Sequence, residues 1–116
     1  MSEKQKITGI GGVFFKADNA PALHRWYGDN LGIDVQEWGG AQLGDTVWAV
    51  FESSSKYFDK PVMVNYRVSD LDAMLAQLRA AGARVVDKVD ETEFGRFGWA
   101  FDPEGNRIEL WEPVKK

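Results

Sequence analysis

The sequence predicts an α+β fold in which two βαβββ modules in tandem form a curved eight-stranded mixed sheet, a cup with its helices on the outer face. Strand-like segments and amphipathic helices recur in the same order in both halves, about fifty positions apart. Each half has one helix for four strands, so helices can cover only one face of the sheet. The other face, lined by alternate strand residues, would form a concave pocket.

The first module is predicted to span residues 7–52. Its opening segment, ITGIGGVFFKA, has the β-branched and aromatic content of a strand. A helix capped by Asp18 or Asn19 follows and ends at Gly32. Three strand-like pieces come next, DVQEW, AQL and TVWAVFE, separated by glycine-containing turns.

The second module, residues 61–113, repeats this order. PVMVNYRV is predicted to be a strand, and Ser69 with Asp72 forms a capping box before a helix that ends at Gly82. Strands are predicted at RVVDKVDE, RFGWAFD and RIELWE. The polar segment between the modules, residues 53–60, is predicted to be a linker.

Composition indicates one domain covering residues 1–116. With 44% hydrophobic residues and no cysteine, the chain can bury a core without disulfides and has neither a thiolate metal site nor a thiol nucleophile. A net charge of −4 with scattered lysine and arginine argues against nucleic acid as a partner. The chain shows no signal-peptide pattern and no apolar run of about 20 residues, so we expect no membrane association and a cytoplasmic location.

Three segments carry a resemblance to a known family: IGGVFFKADNAPALHRWYGDNLGI, VSDLDAMLAQLRAAGARV and FDPEGNRIELWEP. In this order and spacing, over residues 7–113, the chain resembles the glyoxalase/bleomycin resistance protein/dioxygenase superfamily, also called vicinal oxygen chelate proteins. The resemblance implies paired βαβββ modules that form a U-shaped cup. It also implies a homodimer and a small-molecule ligand.

The resemblance implies four metal-binding positions, which fall on Gly12, Ala49, Met63 and Glu109. Of these residues only Glu109 has a group that a divalent cation would choose. The only histidine, His24, lies in the first predicted helix and is expected to face solvent. We therefore predict no metal and no cofactor, which argues against the metal-dependent isomerase and dioxygenase activities of the family.

Strand alternation from these four positions divides the strand residues between two faces. The predicted concave face contains Ile10, Phe14, Val47, Phe51, Asn65, Arg67, Arg107, Glu109 and Trp111. A slip of one residue would place Glu109 and its polar neighbours beneath the helices. The candidate ligand-binding residues are Phe14, Val47, Phe51, Met63, Asn65, Arg67, Trp99 and Trp111, with the register of Trp99 left open by the turn at residues 102–106.

Glu109 is the candidate catalytic residue. On the concave face its ion-pair partner is expected to be Arg67 or Arg107, and a salt bridge that only joins the modules is the alternative.

Three functions are compatible with these features. The first is metal-independent binding of an aromatic or amphipathic small molecule, which the 13% aromatic content favours. The second is a glyoxalase-like lyase or isomerase with Glu109 as general base. The third is a dimeric accessory module whose cup is filled by its own side chains. Whether the protein is an enzyme stays open at this point.

Overall fold

The chain is described by a computed structural model over residues 4–114. Its elements are β1 (Gly9–Ala17), α1 (Ala20–Leu31), β2 (Gly40–Leu43), β3 (Thr46–Glu52), β4 (Val62–Arg67), α2 (Leu71–Ala80), β5 (Arg84–Val85), β6 (Asp90–Thr92), β7 (Gly95–Phe101) and β8 (Arg107–Pro113). The predicted domain limits, residues 1 and 116, lie outside the described residues.

Within the described residues the strands form one eight-stranded sheet of order β2-β3-β1-β4-β8-β7-β5, with β6 paired to β7. Strands β1 and β4 are antiparallel and join the two halves of the chain, whereas β1 with β3 and β4 with β8 are parallel pairs. The sheet is therefore mixed, and the predicted α+β class with a curved eight-stranded sheet and two helices is confirmed.

The strand predicted at DVQEW, residues 34–38, is wrong. Gln36 donates its backbone N–H to the carbonyl of Gly40 over 2.8 Å and accepts from the N–H of Gly39 over 2.9 Å. These local bonds fold the segment into a turn, because the backbone groups that a strand ladder needs are already paired. Trp38, at the end of this segment, is 62% exposed.

The strand predicted at RVVDKVDE is divided into β5 and β6. Arg84 and Val85 pair with Phe101 and Ala100 of β7, and pairing resumes only at Asp90, opposite Phe97. Val86 still donates its N–H to the carbonyl of Trp99 over 2.9 Å, and residues 87–89 then interrupt the ladder. The eight strands of the sheet thus include two short ones here and none at residues 34–38.

Side chains cap both helices at their N-termini. Asn19, one of the two predicted caps of α1, accepts a hydrogen bond from Ala22 N–H over 3.1 Å. The capping box predicted at Ser69 and Asp72 is wrong, because Asp70 caps α2 by accepting from Ala73 N–H over 3.0 Å. Asp72 instead pairs with Arg96. Neither helix of the described range is long and apolar enough to cross a membrane.

The main core lies between α2 and the second half of the sheet. Its fully buried members are Val68, Leu71, Met74, Leu75 and Leu110, and the partly buried Tyr66 and Ile108 pack against them. A Cβ at Gly98 of β7 would lie 3.2 Å from Leu75 and 3.3 Å from Leu71, so glycine there lets the helix approach the sheet closely. Beneath α1, Phe15, Tyr27 and Trp48 pack edge to face.

A β-bulge at Gly11 changes the register of β1. Ile10 lies opposite Tyr66 and Gly12 lies opposite Asn65, so Gly11 is an extra residue without a partner. Ile10 therefore shares the helix-covered face with Tyr66, and its predicted position on the concave face is wrong. Gly9, opposite Arg67, lies there instead.

Truncation of Leu71 to alanine should lower the free energy of unfolding by about 3 kcal/mol, because Leu71 is 0% exposed in the α2 core. The matched control is Leu31→Ala, since Leu31 at the end of α1 is 60% exposed, and we expect a loss below about 1 kcal/mol there. Urea unfolding of both variants measures the difference. Equal losses would contradict this description of the core.

Candidate functional site

Five residues form a line across the concave face of the sheet. Val47, Gly12, Asn65, Glu109 and Trp99 lie opposite one another in turn on β3, β1, β4, β8 and β7. Opposed residues of neighbouring strands project from the same face, so this register brings four candidate site residues together. It also settles the register of Trp99, which faces the concave side.

Glu109, the acidic residue of this line, is 3% exposed, and its carboxylate is hydrogen-bonded through both oxygens. Its Oε1 accepts from Asn65 Nδ2 over 2.6 Å, and its Oε2 accepts from Trp99 Nε1 over 2.9 Å and from the hydroxyl of Tyr57. A buried carboxylate without donors would cost several kcal/mol. These three neutral donors replace the water that Glu109 loses on burial.

The ion pair predicted for Glu109 is wrong. Among the described residues Glu109 forms no salt bridge with either arginine. The guanidinium of Arg107 lies 5.3 Å from the ring centres of both Tyr57 and Trp99, and that of Arg67 lies 4.8 Å from the ring of Trp111. Stacking on aromatic rings holds both cations away from the carboxylate.

Sequence reasoning missed Tyr57, because residues 53–60 were expected to be only a linker. This segment passes over the concave face, where the ring of Tyr57 stacks on Phe51 at 5.9 Å with an interplanar angle of 2°. Phe58 packs against Phe51 as well and is 2% exposed. Two adjacent aromatic residues in an otherwise polar segment are the signal that could have indicated this contact.

The phenol of Tyr57 is the donor in its hydrogen bond with Glu109. Burial and the negative charge of Glu109 raise the pKa of Tyr57 well above its ordinary value, and its hydrogen bond to Glu109 acts in the same direction. Trp99 Nε1 lies 3.1 Å from the Tyr57 oxygen and donates to it. Tyr57 is therefore a neutral donor to the carboxylate across the physiological pH range.

Two adjoining cavities lie over this line of residues. The first has a volume of about 360 Å³ and is lined in part by Phe51 and Tyr57. The second has a volume of about 460 Å³. Residues that line both are Phe14, Trp38, Val47 and Glu109. The concave face thus offers one apolar space with a carboxylate in its floor.

The candidate ligand-binding residues occupy different depths around this space. Those that line a cavity are Phe14, Val47, Phe51, Asn65 and Trp111. Met63 and Trp99 are almost completely buried, at 1% and 3% exposure, and line neither cavity. Arg67 lines neither cavity, and its guanidinium lies 4.8 Å from the ring centre of Trp111. Residues at the cavities that the sequence did not indicate are Gly11, Trp38, Gln42, Val50, Tyr57, Phe94 and Phe97.

The residues at the four family metal positions do not fit a divalent cation. Gly12 and Ala49 have no side-chain ligand atoms, and Met63, which is 1% exposed, offers only a thioether. The oxygens of Glu109 already accept three hydrogen bonds. Over residues 4–114, no group of three or more His, Cys, Asp or Glu side chains is placed to hold a metal ion.

His24 does not face solvent as predicted. It is half-buried, and its Nε2 is shielded from solvent with no hydrogen-bond partner in the described part of the chain. A Cβ at Gly39 would lie 3.7 Å from Nε2, so the ring packs against the turn before β2. The prediction for His24 used the periodicity of the helix alone, which contains no information about the turn that covers this side of α1.

Alkaline titration should detect the hydrogen bond between Tyr57 and Glu109. Because the pKa of Tyr57 is raised in the folded protein and is about 10 in the unfolded chain, its stabilising contribution is present below pH about 10 and is lost as the pH rises further. Wild type should therefore lose stability above pH about 10 more steeply than Tyr57→Phe.

The same pair of proteins provides a direct spectroscopic check. Between pH about 9 and about 11, folded wild type and Tyr57→Phe should gain the same tyrosinate absorbance. An additional tyrosinate signal in wild type with a midpoint near pH 10 would show that the phenol is not held by Glu109.

A family model described as a glyoxalase-like domain matches residues 12–111. Methylmalonyl-CoA epimerase from Mycobacterium tuberculosis is similar in structure, with a TM-score of 0.72, 25% identity and coverage of 99% of this chain and 94% of that chain. A Streptomyces coelicolor methylmalonyl-CoA epimerase variant in complex with 2-nitronate-propionyl-CoA has a TM-score of 0.69 at 20% identity, covering 95% of this chain and 100% of that chain. No curated protein matches the chain by sequence.

A hypothetical protein from Bacillus halodurans is also similar, with a TM-score of 0.68, 10% identity and coverage of 98% of both chains. At such low identity, this likeness and the likeness to the Streptomyces enzyme show the fold alone. The family model, in contrast, matches by sequence over most of the 116 residues. The chain therefore belongs to the glyoxalase-like domain family, within the vicinal oxygen chelate superfamily that its sequence resembles.

Proposed function

We propose that this protein binds an aromatic or amphipathic small molecule in the concave cup without a metal ion. The observation that carries the proposal is the pair of adjoining apolar cavities, of about 360 and 460 Å³, that share the Glu109 carboxylate. Ordinary ligand pockets begin at roughly 300 Å³. A homodimer is part of the same proposal and rests on the family resemblance, and so is the cytoplasmic location that the sequence predicts.

The aromatic side chains around the cavities support this choice of ligand. Phe97 and Trp111 stack at 5.7 Å with an interplanar angle of 4°, which presents a flat apolar wall. Trp38 and Phe94 line the space although they are 62% and 63% exposed. Exposed aromatic rings beside an apolar cavity favour a ligand that can cover them.

The alternative function, a structural module whose cup is filled by its own side chains, agrees with only one part of the concave face. Phe58 and Met63 fill that part, at 2% and 1% exposure. The space above Asn65 and Glu109 stays open, since both residues line the larger cavity. A purely structural module has no need for this opening, so ligand binding is the better account.

Nile red, a flat neutral dye that fluoresces in apolar surroundings, tests the proposal. Wild type should bind the dye, and Trp111→Ala should weaken binding about tenfold, because one wall of the larger cavity is lost. The matched control is Trp26→Ala, since Trp26 is 52% exposed on α1 and lines neither cavity. Fluorescence titration gives the dissociation constants, and circular dichroism confirms that both variants fold.

Two outcomes would contradict the proposal. One is the absence of dye binding to folded wild type. The other is equal weakening by Trp111→Ala and Trp26→Ala, which would place the dye outside the cup.

Proton abstraction by Glu109 is the second candidate function, and one specific observation favours it. A carboxylate has about four acceptor sites, and Glu109 uses three of them. The fourth site, on Oε1, remains for a proton next to a carbonyl, and Glu109 lines both cavities. Three donors already hold the carboxylate, and proton transfer to it would disturb these hydrogen bonds, so we place binding first.

Deuterium exchange separates the two functions. Methylmalonyl-CoA, which one of the similar solved structures contains, has an exchangeable proton next to its thioester carbonyl. If the cup only binds, wild type and Glu109→Gln should leave the exchange rate in D₂O, followed by proton NMR, at its value without protein. Acceleration by wild type that Glu109→Gln abolishes would instead assign general-base catalysis to Glu109.

A further inference from the structure

The side-chain amide of Asn65 has a fixed orientation. Its Nδ2 donates to Glu109 Oε1 over 2.6 Å, and a carboxylate can only accept, so the amide oxygen must point the other way. That oxygen, Oδ1, is buried and has no hydrogen-bond partner within residues 4–114. Asn65 is 2% exposed, so its unpaired acceptor is costly unless something else supplies a donor.

The unpaired oxygen lies beside Gly11. A Cβ at Gly11 would overlap Asn65 Oδ1 and lie 2.8 Å from Cε3 of Trp111. Gly11 does not have a positive φ, so its backbone conformation does not require glycine. Glycine at this bulge leaves room for the amide oxygen in the wall of the larger cavity, which Gly11, Asn65 and Trp111 line together.

The surroundings of this acceptor define the chemistry of the group that would meet it. Phe14, Phe97 and Trp111 form apolar walls, and the Glu109 carboxylate lies in the same floor. The negative charge of Glu109 disfavours an anionic group at this end of the cavity. A flat ring that carries a neutral N–H or O–H group satisfies both the walls and the acceptor.

Building on the proposed function, we propose that the ligand is a planar ring compound that donates a hydrogen bond from a ring N–H or O–H group to Asn65 Oδ1. Selectivity then comes from the acceptor, because a ligand of equal shape without a donor leaves Oδ1 buried and unpaired. The stacked rings of Phe97 and Trp111 supply affinity but do not distinguish the two kinds of ligand.

Indole and benzothiophene test this selectivity in the unmodified protein. They have nearly the same shape, but only indole has an N–H donor, and benzothiophene is the more hydrophobic. Indole should bind about tenfold more tightly in a heteronuclear NMR titration. N-methylindole, whose donor is blocked, should bind as weakly as benzothiophene. In Asn65→Leu, which removes the acceptor, the preference for indole should disappear.

The outcomes separate this inference from the function on which it depends. If indole, N-methylindole and benzothiophene bind equally while Nile red still binds, the cup binds ligands but Asn65 does not select them. If none of these compounds binds, both proposals are wrong. The wild-type comparison needs no variant, so the test stays decisive even if Asn65→Leu does not fold.

Discussion

Solvation of one buried carboxylate determines the organisation of the concave face. Glu109 is 3% exposed, and an ionised group at that depth is tolerated only if donors replace its water. The donors come from β4, from β7 and from the segment between the two halves of the chain. Both halves of the sheet and their connection must therefore be in place together before the site exists. The parallel pairing of β4 with β8, which sets Asn65 opposite Glu109, is the backbone basis of this arrangement.

Much of the fold could be predicted because it follows from local chemistry and periodicity. Helix α1 is capped by Asn19 at its start and by Gly32 at its end, as capping rules indicate. The errors arose where the local sequence was compatible with two structures. Ser69 and Asp70 are both good capping residues, and only the path of the chain into α2 selects Asp70. At residues 34–38 the β-turn that precedes β2 pairs the same backbone groups that a strand would have used. The face of Ile10 was also predicted wrongly, because strict alternation of faces along a strand does not allow for the extra residue of a β-bulge.

The candidate site was predictable in part. Glu109, Asn65 and Val47 could be assigned to one face because alternation along a regular strand fixes the face of each residue, whereas the register of Trp99 stayed open. Their partners could not, since they depend on contacts between residues distant in sequence. Tyr57 reaches Glu109 from a segment that has no period of its own. The two arginines were near Glu109 as expected, but a guanidinium can stack on a ring or pair with a carboxylate, and the sequence does not decide between them.

The segment at residues 53–60 has a consequence for how this chain can vary. Connections between repeated units are normally the places where insertions and deletions are accepted, because little packs against them. Here the connection carries Phe58, 2% exposed, and the phenol that donates to Glu109. A change of even one residue in its length would move both rings off the sheet. Drift in loop length should therefore concentrate at the glycine turn before β3 and at residues 102–106, while the joint between the duplicated halves keeps its length.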